Sequence, residues 1–212
     1  MVQLAFHLAD KYRNPVVVVS DAITGRMKET VEVEAIDFGP LPDKEDWAAM
    51  GKARHKDGKR HFIEHSAGFS PRYPSYQAFL RRLDQKIKQM QESEVRYESY
   101  KADDAKIILV AYGYTARVSK EAVNMASAEG IKAGLIRLQT AWPFPYEAIR
   151  EKAHQGCRFL VVEDSLGQLV EDVQCAVEGC TEVQLVSILD RHLPTDGGMI
   201  LPAKVIEKIK AM

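Results

Sequence analysis

The sequence predicts an α/β fold, in which a mostly parallel sheet is covered by helices on both faces and preceded by a partial α/β segment. From residue 106 onward, short apolar runs alternate with stretches of helical spacing, which is typical of parallel strands joined by helices. Near the start, residues 16–19 are four consecutive valines without the alternation of a half-exposed strand. Because such a strand needs cover on both faces, we expect it to be part of a larger sheet.

Length and composition indicate an ordinary globular protein. The 212 residues are 46% hydrophobic and 28% charged, which is enough to build a substantial core. The formal net charge of −1 gives no overall attraction to nucleic acid or to an anionic membrane, so we expect neither partner. No signal sequence or membrane-length apolar run is recognisable, and we expect a cytoplasmic location.

The cysteines are sparse and lack the spacing of a metal site. The chain has three, without the CxxC pattern that zinc and iron–sulfur sites use. We therefore expect reduced cysteines packed in the interior, and no metal bound by this chain. They are Cys157, Cys175 and Cys180.

Residues 1–36 form the partial α/β segment. A helix is predicted over residues 3–12 and ends at Asn14-Pro15, before the valine strand at 16–19. Residues 29–36 alternate valine with glutamate, which predicts an exposed strand with one wet face.

Residues 37–99 are predicted to connect this segment to the main domain. Asp57-Gly58 has the composition of a tight hairpin turn. Residues 75–98 place apolar side chains on one stripe, which predicts a long amphipathic helix.

Residues 100–212 are predicted to form the complete α/β domain. Gly130 is expected to cap the end of its first helix, and Thr115 the start. The predicted order is strand "KIILVAYG", helix 115–129, strand "KAGLIRL", helix 145–155, strand "RFLVVED", helix 166–178, strand "VQLVSIL" and a closing helix 202–210.

Three loops follow the carboxyl ends of these strands, where ligands and partners usually bind in a parallel sheet. In "AYGYTAR", the residues Gly113, Thr115 and Arg117 either hold an anion at a helix start or serve plain helix capping. The third loop is "EDSLGQLVEDV". Its first residues, Glu163 and Asp164, end a strand and act either as a general base or as helix caps. There the pair Gly167 and Gln168 opens the next helix.

The second loop, "QTAWPFPYEAI", is stiffened by Pro143 and Pro145. It displays Trp142 and Phe144, whose large apolar surfaces are costly to leave in water. These two side chains either fold back onto their own domain or dock on a partner.

A basic stretch in the connecting region suggests two readings. It either grips nucleic acid or an acidic protein, or it is simply a solvated hairpin. Three nearby histidines have an irregular spacing that predicts no metal site. The basic residues are Lys52, Arg54, Lys56, Lys59 and Arg60, and the histidines are His55, His61 and His65.

Five stretches, taken in order, resemble one family. They are "LAFHLADKYRNPVVVVSDAITG", "ESEVRYESYKADDAKIILVAYGYTAR", "EGIKAGLIRLQTAWPFPYEAI", "FLVVEDSLGQLVEDV" and "DGGMILPAKVIEKI". They look like the α-type subunit of 2-oxoacid:ferredoxin oxidoreductases, in the 2-ketoisovalerate branch. The resemblance covers nearly the whole chain.

The resemblance implies a domain assignment. Residues 1–36 would be the remnant of a thiamine-pyrimidine-binding domain, residues 37–99 a connecting region, and residues 100–212 a domain similar to the C-terminal domain of transketolase. In "SDAITG", Asp21, Thr24 and Gly25 match the loop after the last strand of the pyrimidine domain, near the cofactor or a subunit contact. The chain departs from the family at Glu163-Asp164-Ser165, where relatives often have Glu-Met-Asn.

The resemblance also implies a function for the assembled complex. Such enzymes decarboxylate a 2-oxoacid oxidatively to an acyl-CoA, with thiamine diphosphate and magnesium, and pass electrons through iron–sulfur clusters to ferredoxin. The resemblance implies that the glutamate that activates the aminopyrimidine lies in an N-terminal part missing from this chain and that the diphosphate and magnesium site belongs to a partner subunit. We therefore expect no cofactor and no catalytic residue within the chain, and the absence of a Gly-Asp-Gly signature agrees with this. We expect it to serve assembly with the other subunits, to reach ferredoxin through the complex, and to form a homo-oligomer.

A second hypothesis belongs to another class. The same domain would be a free-standing anion-binding, nucleotide-binding or regulatory module, with the helix start at Gly113–Arg117 holding the anion.

Overall fold

The computed structural model describes residues 1–45, 48–49, 56–59, 75–189 and 198–212. The chain divides into two units, which differ from the three segments predicted above. Residues 1–19 and 28–89 make up the first, called here the N-terminal unit. Residues 20–27 and 90–212 make up the second, called here the sheet unit.

From residue 107 onward the helices and strands follow one another in the predicted order, whereas before it α2 and β1 were not predicted and the predicted strands at 16–19 and 29–36 do not form. They are α1 (Val2–Tyr12), α2 (Ala22–Arg26), α3 (Tyr76–Ser93), β1 (Tyr97–Tyr100), β2 (Ile107–Ala111), α4 (Gly113–Ala128), β3 (Ala133–Leu138), α5 (Tyr146–His154), β4 (Arg158–Glu163), α6 (Gln168–Val177), β5 (Val183–Ser187) and α7 (Pro202–Ala211).

In the N-terminal unit, the predicted first helix is confirmed as α1. It ends at Arg13, whose left-handed backbone (φ 46°) caps the last turn before Asn14-Pro15. Residues 15–19 then run without regular secondary structure, and Val17 and Val19 are 81% and 85% exposed. Among the described residues the valine run has no strand neighbour, so its apolar side chains remain in solvent.

The predicted strand at 29–36 is wrong. The segment forms no β-ladder, and both Val31 and Val33 are exposed, at 71% and 89%. The end of the segment is instead bound by Gln3. The side-chain amide of Gln3 donates to Glu34 O at 2.7 Å and accepts from Ile36 N at 2.9 Å. An alternating pattern is not enough to make a strand when no neighbouring strand supplies hydrogen bonds.

The turn predicted at Asp57-Gly58 is confirmed. Asp57 Oδ1 accepts a hydrogen bond from Lys59 N at 2.9 Å, and Gly58 has a positive φ of 63°. Lys56 and Lys59 belong to this turn. The rest of the predicted hairpin lies outside the described residues, with Lys52, Arg54, Arg60, His55, His61 and His65.

The predicted helix over 75–98 is too long at its end. α3 ends at Ser93, and residues 97–100 form β1, which the sequence analysis missed. The apolar stripe of α3 ends at Met90, and the following aromatic residues pair instead with β3 in an antiparallel ladder. A four-residue strand directly after a helix has too short a pattern to be separated from it by sequence alone.

The sheet unit confirms the predicted fold class. Its five strands have the order β1-β3-β2-β4-β5, and every pair except β1–β3 is parallel. Alternate side chains of the central strands enter two separate cores. One core includes Ile108 and Val161 with α5 and α6, and the other includes Leu109 and Leu160 with α4 and α7. Helices therefore cover both faces of the sheet.

One close approach between two stretches of main chain lies beside β3. A Cβ built on Gly134, in β3, would lie 2.6 Å from Lys101 O and from Ala102 Cα. Only glycine leaves room for this contact between two stretches of main chain.

The prediction for the cysteines is correct for one residue and wrong for two. Cys157 is buried, and its thiol lies 3.2 Å from Ala105 O. Cys175 and Cys180 are exposed, and all three are free. Cys175 lies on α6 and Cys180 follows its end, where solvent rather than the core surrounds them.

In the part of the chain that the structure describes, none of the helices is both long and apolar enough to cross a bilayer.

Candidate functional site at the carboxyl ends of the strands

The parallel strands β2, β3, β4 and β5 end at one edge of the sheet, called here the carboxyl edge. The starts of α4, α5 and α6 lie at the same edge, because each helix directly follows a strand. Helix starts present N–H groups without partners in their own helix, so this edge is where acidic groups are best accommodated.

Asp21 joins two helix starts at this edge. Its carboxylate accepts from Thr24 N at 2.7 Å and from the Thr24 hydroxyl at 2.8 Å, which caps α2. Its Oδ2 atom also accepts from Tyr114 N at 3.0 Å, at the start of α4. The sequence analysis singled out Asp21 and Thr24 together with Gly113, and the structure brings these three residues together.

Gly113 is required by this contact. It has a positive φ of 56°, and a Cβ there would lie 2.7 Å from Asp21 Oδ2. Gly25 has no such constraint, since the nearest atom to its built Cβ is Ser20 Oγ at 3.8 Å.

The predicted N-cap at Thr115 is wrong. α4 begins two residues earlier, at Gly113, and Thr115 lies inside its first turn with its hydroxyl donating to Tyr112 O at 2.8 Å. The carboxylate that a local cap would otherwise provide comes from Asp21, which lies 93 residues before Tyr114 in the chain.

The anion seat predicted at Gly113, Thr115 and Arg117 is thus engaged by the chain itself. The N–H of Tyr114, which a bound anion would use, already donates to Asp21. Arg117 is exposed in the first turns of the helix. Burial raises the pKa of Asp21, but the hydrogen bonds from Thr24 and Tyr114 outweigh it and hold this pKa below the ordinary 3.8.

Tyr114 connects α4 to two other segments. Its hydroxyl donates to Asp164 Oδ2 at 2.8 Å and accepts from Ile200 N at 3.5 Å. Burial, followed by the bond to the Asp164 carboxylate, raises the pKa of Tyr114 to about 12. Asp164 is therefore a hydrogen-bond acceptor within this network.

Glu163 is fully buried at the end of β4. Its two carboxylate oxygens accept from Leu169 N at 3.0 Å and from Val170 N at 3.1 Å, in the first turn of α6. The Ser165 hydroxyl donates to the same carboxylate. Of the two roles left open for Glu163, this geometry supports helix capping, because every oxygen already faces a donor of its own chain.

The Gly167–Gln168 pair opens α6 as predicted. Gly167 is the N-cap residue and has a φ of 102°, which favours glycine. The Gln168 side chain accepts from Leu166 N at 3.0 Å and so closes the loop before the helix.

The two aromatic side chains of the proline-rich loop have different surroundings. Phe144 is buried, at 6% exposure, and packs edge-on against Tyr146 with ring centroids 4.9 Å apart. Trp142 is 54% exposed. Pro143 and Pro145 are buried beside them, and Thr140 braces the loop by donating to Pro143 O at 2.9 Å. Phe144 therefore folds back onto its own domain, whereas Trp142 remains exposed to solvent.

Exposed apolar side chains follow all four parallel strands. They share this position at the carboxyl edge, and sequence reasoning identified only the second of them. They are Tyr112 (39% exposed), Trp142 (54%), Leu166 (77%) and Leu189 (60%). An apolar patch of this kind is typical of an interaction surface.

Tyr114 was also missed by the sequence analysis. No local pattern marks it, because its partners Asp164 and Ile200 lie 50 and 86 residues away in the chain.

The residues at this edge do not fit a thiamine diphosphate–magnesium site or an iron–sulfur cluster. The carboxylates of Asp21, Glu163 and Asp164 already accept hydrogen bonds from helix N–H groups or from Tyr114. Within the described ranges, no three His, Cys, Asp or Glu side chains gather as a metal-ligand set.

Comparison with known proteins gives the family. Residues 105–204 match the family described as pyruvate:ferredoxin oxidoreductase core domain II. The ketoisovalerate oxidoreductase subunit VorB of Methanothermobacter thermautotrophicus is 41% identical over 208 residues, which is 97% of this chain and 54% of the relative. The 2-oxoglutarate synthase subunit KorA of Methanothermobacter marburgensis is 34% identical over 233 residues, covering 98% of this chain and 59% of the relative.

A solved structure has the same fold. The 2-oxoglutarate:ferredoxin oxidoreductase from Magnetococcus marinus superposes with a TM-score of 0.66 at 20% identity, over 97% of this chain and 38% of that chain. The present chain spans about half the length of the curated relatives it matches. On the sequence similarities, the chain belongs to the family of 2-oxoacid:ferredoxin oxidoreductase subunits.

Proposed function

We propose that this chain is an assembly part of a thiamine-diphosphate-dependent 2-oxoacid:ferredoxin oxidoreductase and does not itself carry the catalytic centre. The substrate of the whole complex would be a branched-chain 2-oxoacid, since the VorB relatives at 41% identity are named for ketoisovalerate. Thiamine diphosphate, magnesium and the iron–sulfur clusters would be held by other parts of the complex, which would also reach ferredoxin.

The observation that carries this proposal is the character of the carboxyl edge. Three of its acidic groups are engaged in hydrogen bonds that hold the fold, namely the carboxylates of Asp21, Glu163 and Asp164. Large apolar side chains are exposed after all four of its parallel strands, from Tyr112 to Leu189. An edge that exposes apolar surface beside carboxylates already used by the fold suits contact with another subunit better than bond chemistry.

The valine run supports the domain assignment. Residues 1–36 would belong to a thiamine-pyrimidine-binding domain, residues 37–99 to a connecting region, and residues 100–212 to a transketolase C-terminal-like domain. Val17 and Val19 are exposed although a run of four valines is typical of the interior of a parallel sheet. Strands from another stretch of polypeptide would cover them in the assembled enzyme, and a cytoplasmic location and a homo-oligomeric complex belong to the same proposal.

The alternative, a free-standing anion-binding module, has weaker support. It needs the helix start of α4 for its ligand, and Asp21 already accepts from the Tyr114 N–H there. Tight stoichiometric nucleotide binding that is lost in Arg117→Ala would favour this alternative.

The activity test uses the chain as it is. The purified chain, supplied with thiamine diphosphate, magnesium, coenzyme A and a viologen acceptor, should not reduce the dye with ketoisovalerate, pyruvate or 2-oxoglutarate. Turnover by the isolated chain would contradict the proposal.

The assembly test compares two surface substitutions. Leu166 follows β4 at the carboxyl edge, whereas Tyr97 is exposed on the antiparallel edge strand β1. When the chain is co-expressed with tagged partner subunits from its own organism, Leu166→Arg should reduce co-purification about tenfold, and Tyr97→Arg by no more than about twofold. Equal recovery of both variants would argue against the carboxyl edge as the contact surface.

A further inference from the structure

Residues 30–36, called here the acidic arm, have one main-chain edge that is bound and one that is not. Gln3 binds the first edge, because its single side-chain amide reaches both Glu34 O and Ile36 N, which lie on the same side of an extended chain. The alternate residues of the arm present their main-chain groups to the opposite side. They form no hydrogen bond within the part of the chain that the structure describes, and they are Val31, Val33 and Ala35.

The side chains of the acidic arm separate into two faces. Val31, Val33 and Ala35 alternate with Glu32 and Glu34, and the arm contains no basic residue. All of its residues are exposed, and Val33 is 89% exposed. Neither glutamate side chain has an ion-pair partner among the described residues. The arm therefore has the pattern of an amphipathic strand and lacks a neighbouring strand to pair with.

The strand β1 has an unpaired edge of the same kind. Arg96 O accepts from Gln139 N at 3.0 Å, so the even-numbered residues of this stretch direct their main-chain groups toward β3. The main-chain groups of Tyr97 and Ser99 consequently point away from β3. Beyond them the sheet has no further strand among the described residues, and both side chains are exposed.

Cationic groups gather on one face of β1. Arg137 donates to the Glu98 carboxylate at 3.0 Å, and the Lys120 ammonium lies 3.9 Å from the same carboxylate. The ammonium groups of Lys120 and Lys101 lie 4.6 Å and 5.6 Å from the centre of the Tyr100 ring. The side chains in these contacts carry three positive charges and one negative charge. An additional acidic group would therefore be attracted to this face of β1.

The arm and the β1 edge match when they run antiparallel. Antiparallel pairing of their unbonded main-chain groups places the arm's valines on the same face as the exposed Tyr97 side chain. Glu32 and Glu34 then lie on the other face, beside the cationic groups around Tyr100. A parallel pairing would exchange the two faces and would place the valines among the charges.

The distribution of charge also decides which surfaces of two copies can meet. Two β1 edges placed side by side would bring the cationic groups of both copies together, and two arms would bring their glutamates together. Like charges on neighbouring strands are destabilising. An arm placed on the β1 edge of another copy joins opposite charges, and each copy can give one arm and receive one, which closes a two-fold dimer.

We propose that the acidic arm adds as an antiparallel strand to the β1 edge of a second copy of this chain, with the reciprocal contact completing a dimer. The inference specifies a contact in the homo-oligomeric complex and rests on that part of the proposed function. It does not use the apolar side chains at the carboxyl edge. It also accounts for the alternating pattern of a segment that forms no β-ladder within one copy.

Sedimentation equilibrium of the full chain at several concentrations tests the main-chain pairing. The Val33 N–H lies on the pairing edge, so Val33→Pro should weaken dimerisation about tenfold or more. The Glu32 N–H points to the other edge, so Glu32→Pro is the matched control and should weaken it by less than about threefold.

The outcomes separate this contact from the rest of the proposed function. A chain that stays monomeric at every concentration would overturn the dimer, but not the contact with other subunits at the carboxyl edge, which co-purification measures. A dimer that is unaffected by Val33→Pro, or equally weakened by Glu32→Pro, would overturn the pairing of the arm alone.

Charge-reversed variants test which surfaces meet. One variant carries Glu32→Lys and Glu34→Lys, and the other carries Lys101→Glu and Lys120→Glu. Each variant alone places like charges in both contacts and should dimerise about tenfold or more weakly. An equimolar mixture should recover dimerisation to within about threefold of the native chain, because both contacts of the mixed dimer join opposite charges. No recovery in the mixture would overturn the assignment of the arm to the β1 edge.

Discussion

Two apolar runs of the chain, one in each unit, differ in burial: one is largely exposed and the other is completely buried. Residues 16–19 of the N-terminal unit are four valines that remain largely exposed. Residues 159–162 of the sheet unit, "FLVV", are completely buried in β4, between β2 and β5. Because the local patterns are so similar, the difference lies in what surrounds each run. Burial of a parallel strand is a property of its neighbours as much as of its own sequence.

Polar groups follow the same division. In the sheet unit, Glu163 is buried with its oxygens facing helix N–H groups. In the N-terminal unit, the Lys86 ammonium donates to neutral oxygens, Tyr12 O at 3.3 Å and Asn14 Oδ1 at 3.4 Å, and burial lowers the pKa of Lys86. The sheet unit thus satisfies its buried carboxylate with helix N–H groups, whereas the N-terminal unit leaves the four valines without apolar cover.

The strongest test of this contrast removes the buried carboxylate. Glu163→Met leaves two N–H groups at the start of α6 without an acceptor, and each costs about 1–3 kcal/mol, so the free energy of unfolding should fall by about 2–6 kcal/mol. Urea denaturation followed by circular dichroism measures the change. Glu147→Met is the control, since that side chain is 88% exposed, and it should cost no more than about 0.5 kcal/mol. Equal costs would mean that Glu163 does not stabilise α6.

A direct comparison makes the same change in both runs. Val161→Ala should lower the free energy of unfolding by about 2 kcal/mol, because it opens a cavity around a fully buried side chain. Val17→Ala should change it by less than about 0.5 kcal/mol, because that side chain is 81% exposed. Thermal unfolding at several protein concentrations would reveal whether self-association covers the valines. A concentration-dependent loss in Val17→Ala would break the contrast drawn here.

Tyr114→Phe tests the connection between α4 and its neighbours, with an expected cost of about 1 kcal/mol at neutral pH. The folded pKa of about 12 lies above the ordinary value of 10, so the hydroxyl's contribution is complete below pH 10 and is lost as the pH rises toward 12. The difference in stability between the native chain and the variant should therefore shrink over that interval. A difference that stays constant across it would contradict the assignment.

Asp21→Ala should have the smallest effect, about 1 kcal/mol or less, because the side chain is only partly buried. The lowered pKa of Asp21 means that its contribution is present above the ordinary value of 3.8 and is lost as the pH falls through the folded value. Urea denaturation at neutral and acidic pH measures this. The exposed Asp103, replaced by alanine, provides the control and should change the free energy of unfolding at neutral pH by no more than about 0.5 kcal/mol.

Most of the sheet unit could be predicted because its signals are local. The apolar runs of β2, β3, β4 and β5 and the closing helix α7 occur where the sequence pattern places them. The strand β1 could not be predicted, because its four residues come soon after the long periodic helix α3. Only their pairing with β3 distinguishes them from a continuation of that helix.

The candidate site was predicted less well, for the same reason. The loops carrying Gly113, Trp142 and Gly167 were found from turn and capping residues, which act locally. The capping of α4 by Asp21 and the bond between Tyr114 and Asp164 join residues 93 and 50 positions apart. No spacing rule in one sequence reports contacts at such distances. The sequence therefore predicts Thr115 as the N-cap of α4, whereas Asp21 supplies the capping carboxylate.

The grouping of residues 20–27 with the sheet unit has a consequence for how this protein can be divided. The segment is flanked on both sides by stretches of the N-terminal unit, so the main chain passes between the units three times, after residues 19, 27 and 89. No single cleavage or gene-splitting event can therefore separate the two intact units. A recombination that transferred residues 90–212 alone would leave the Tyr114 N–H without the Asp21 carboxylate. A truncation that keeps the sheet unit intact must therefore keep residues 20–27 as well as residues 90–212.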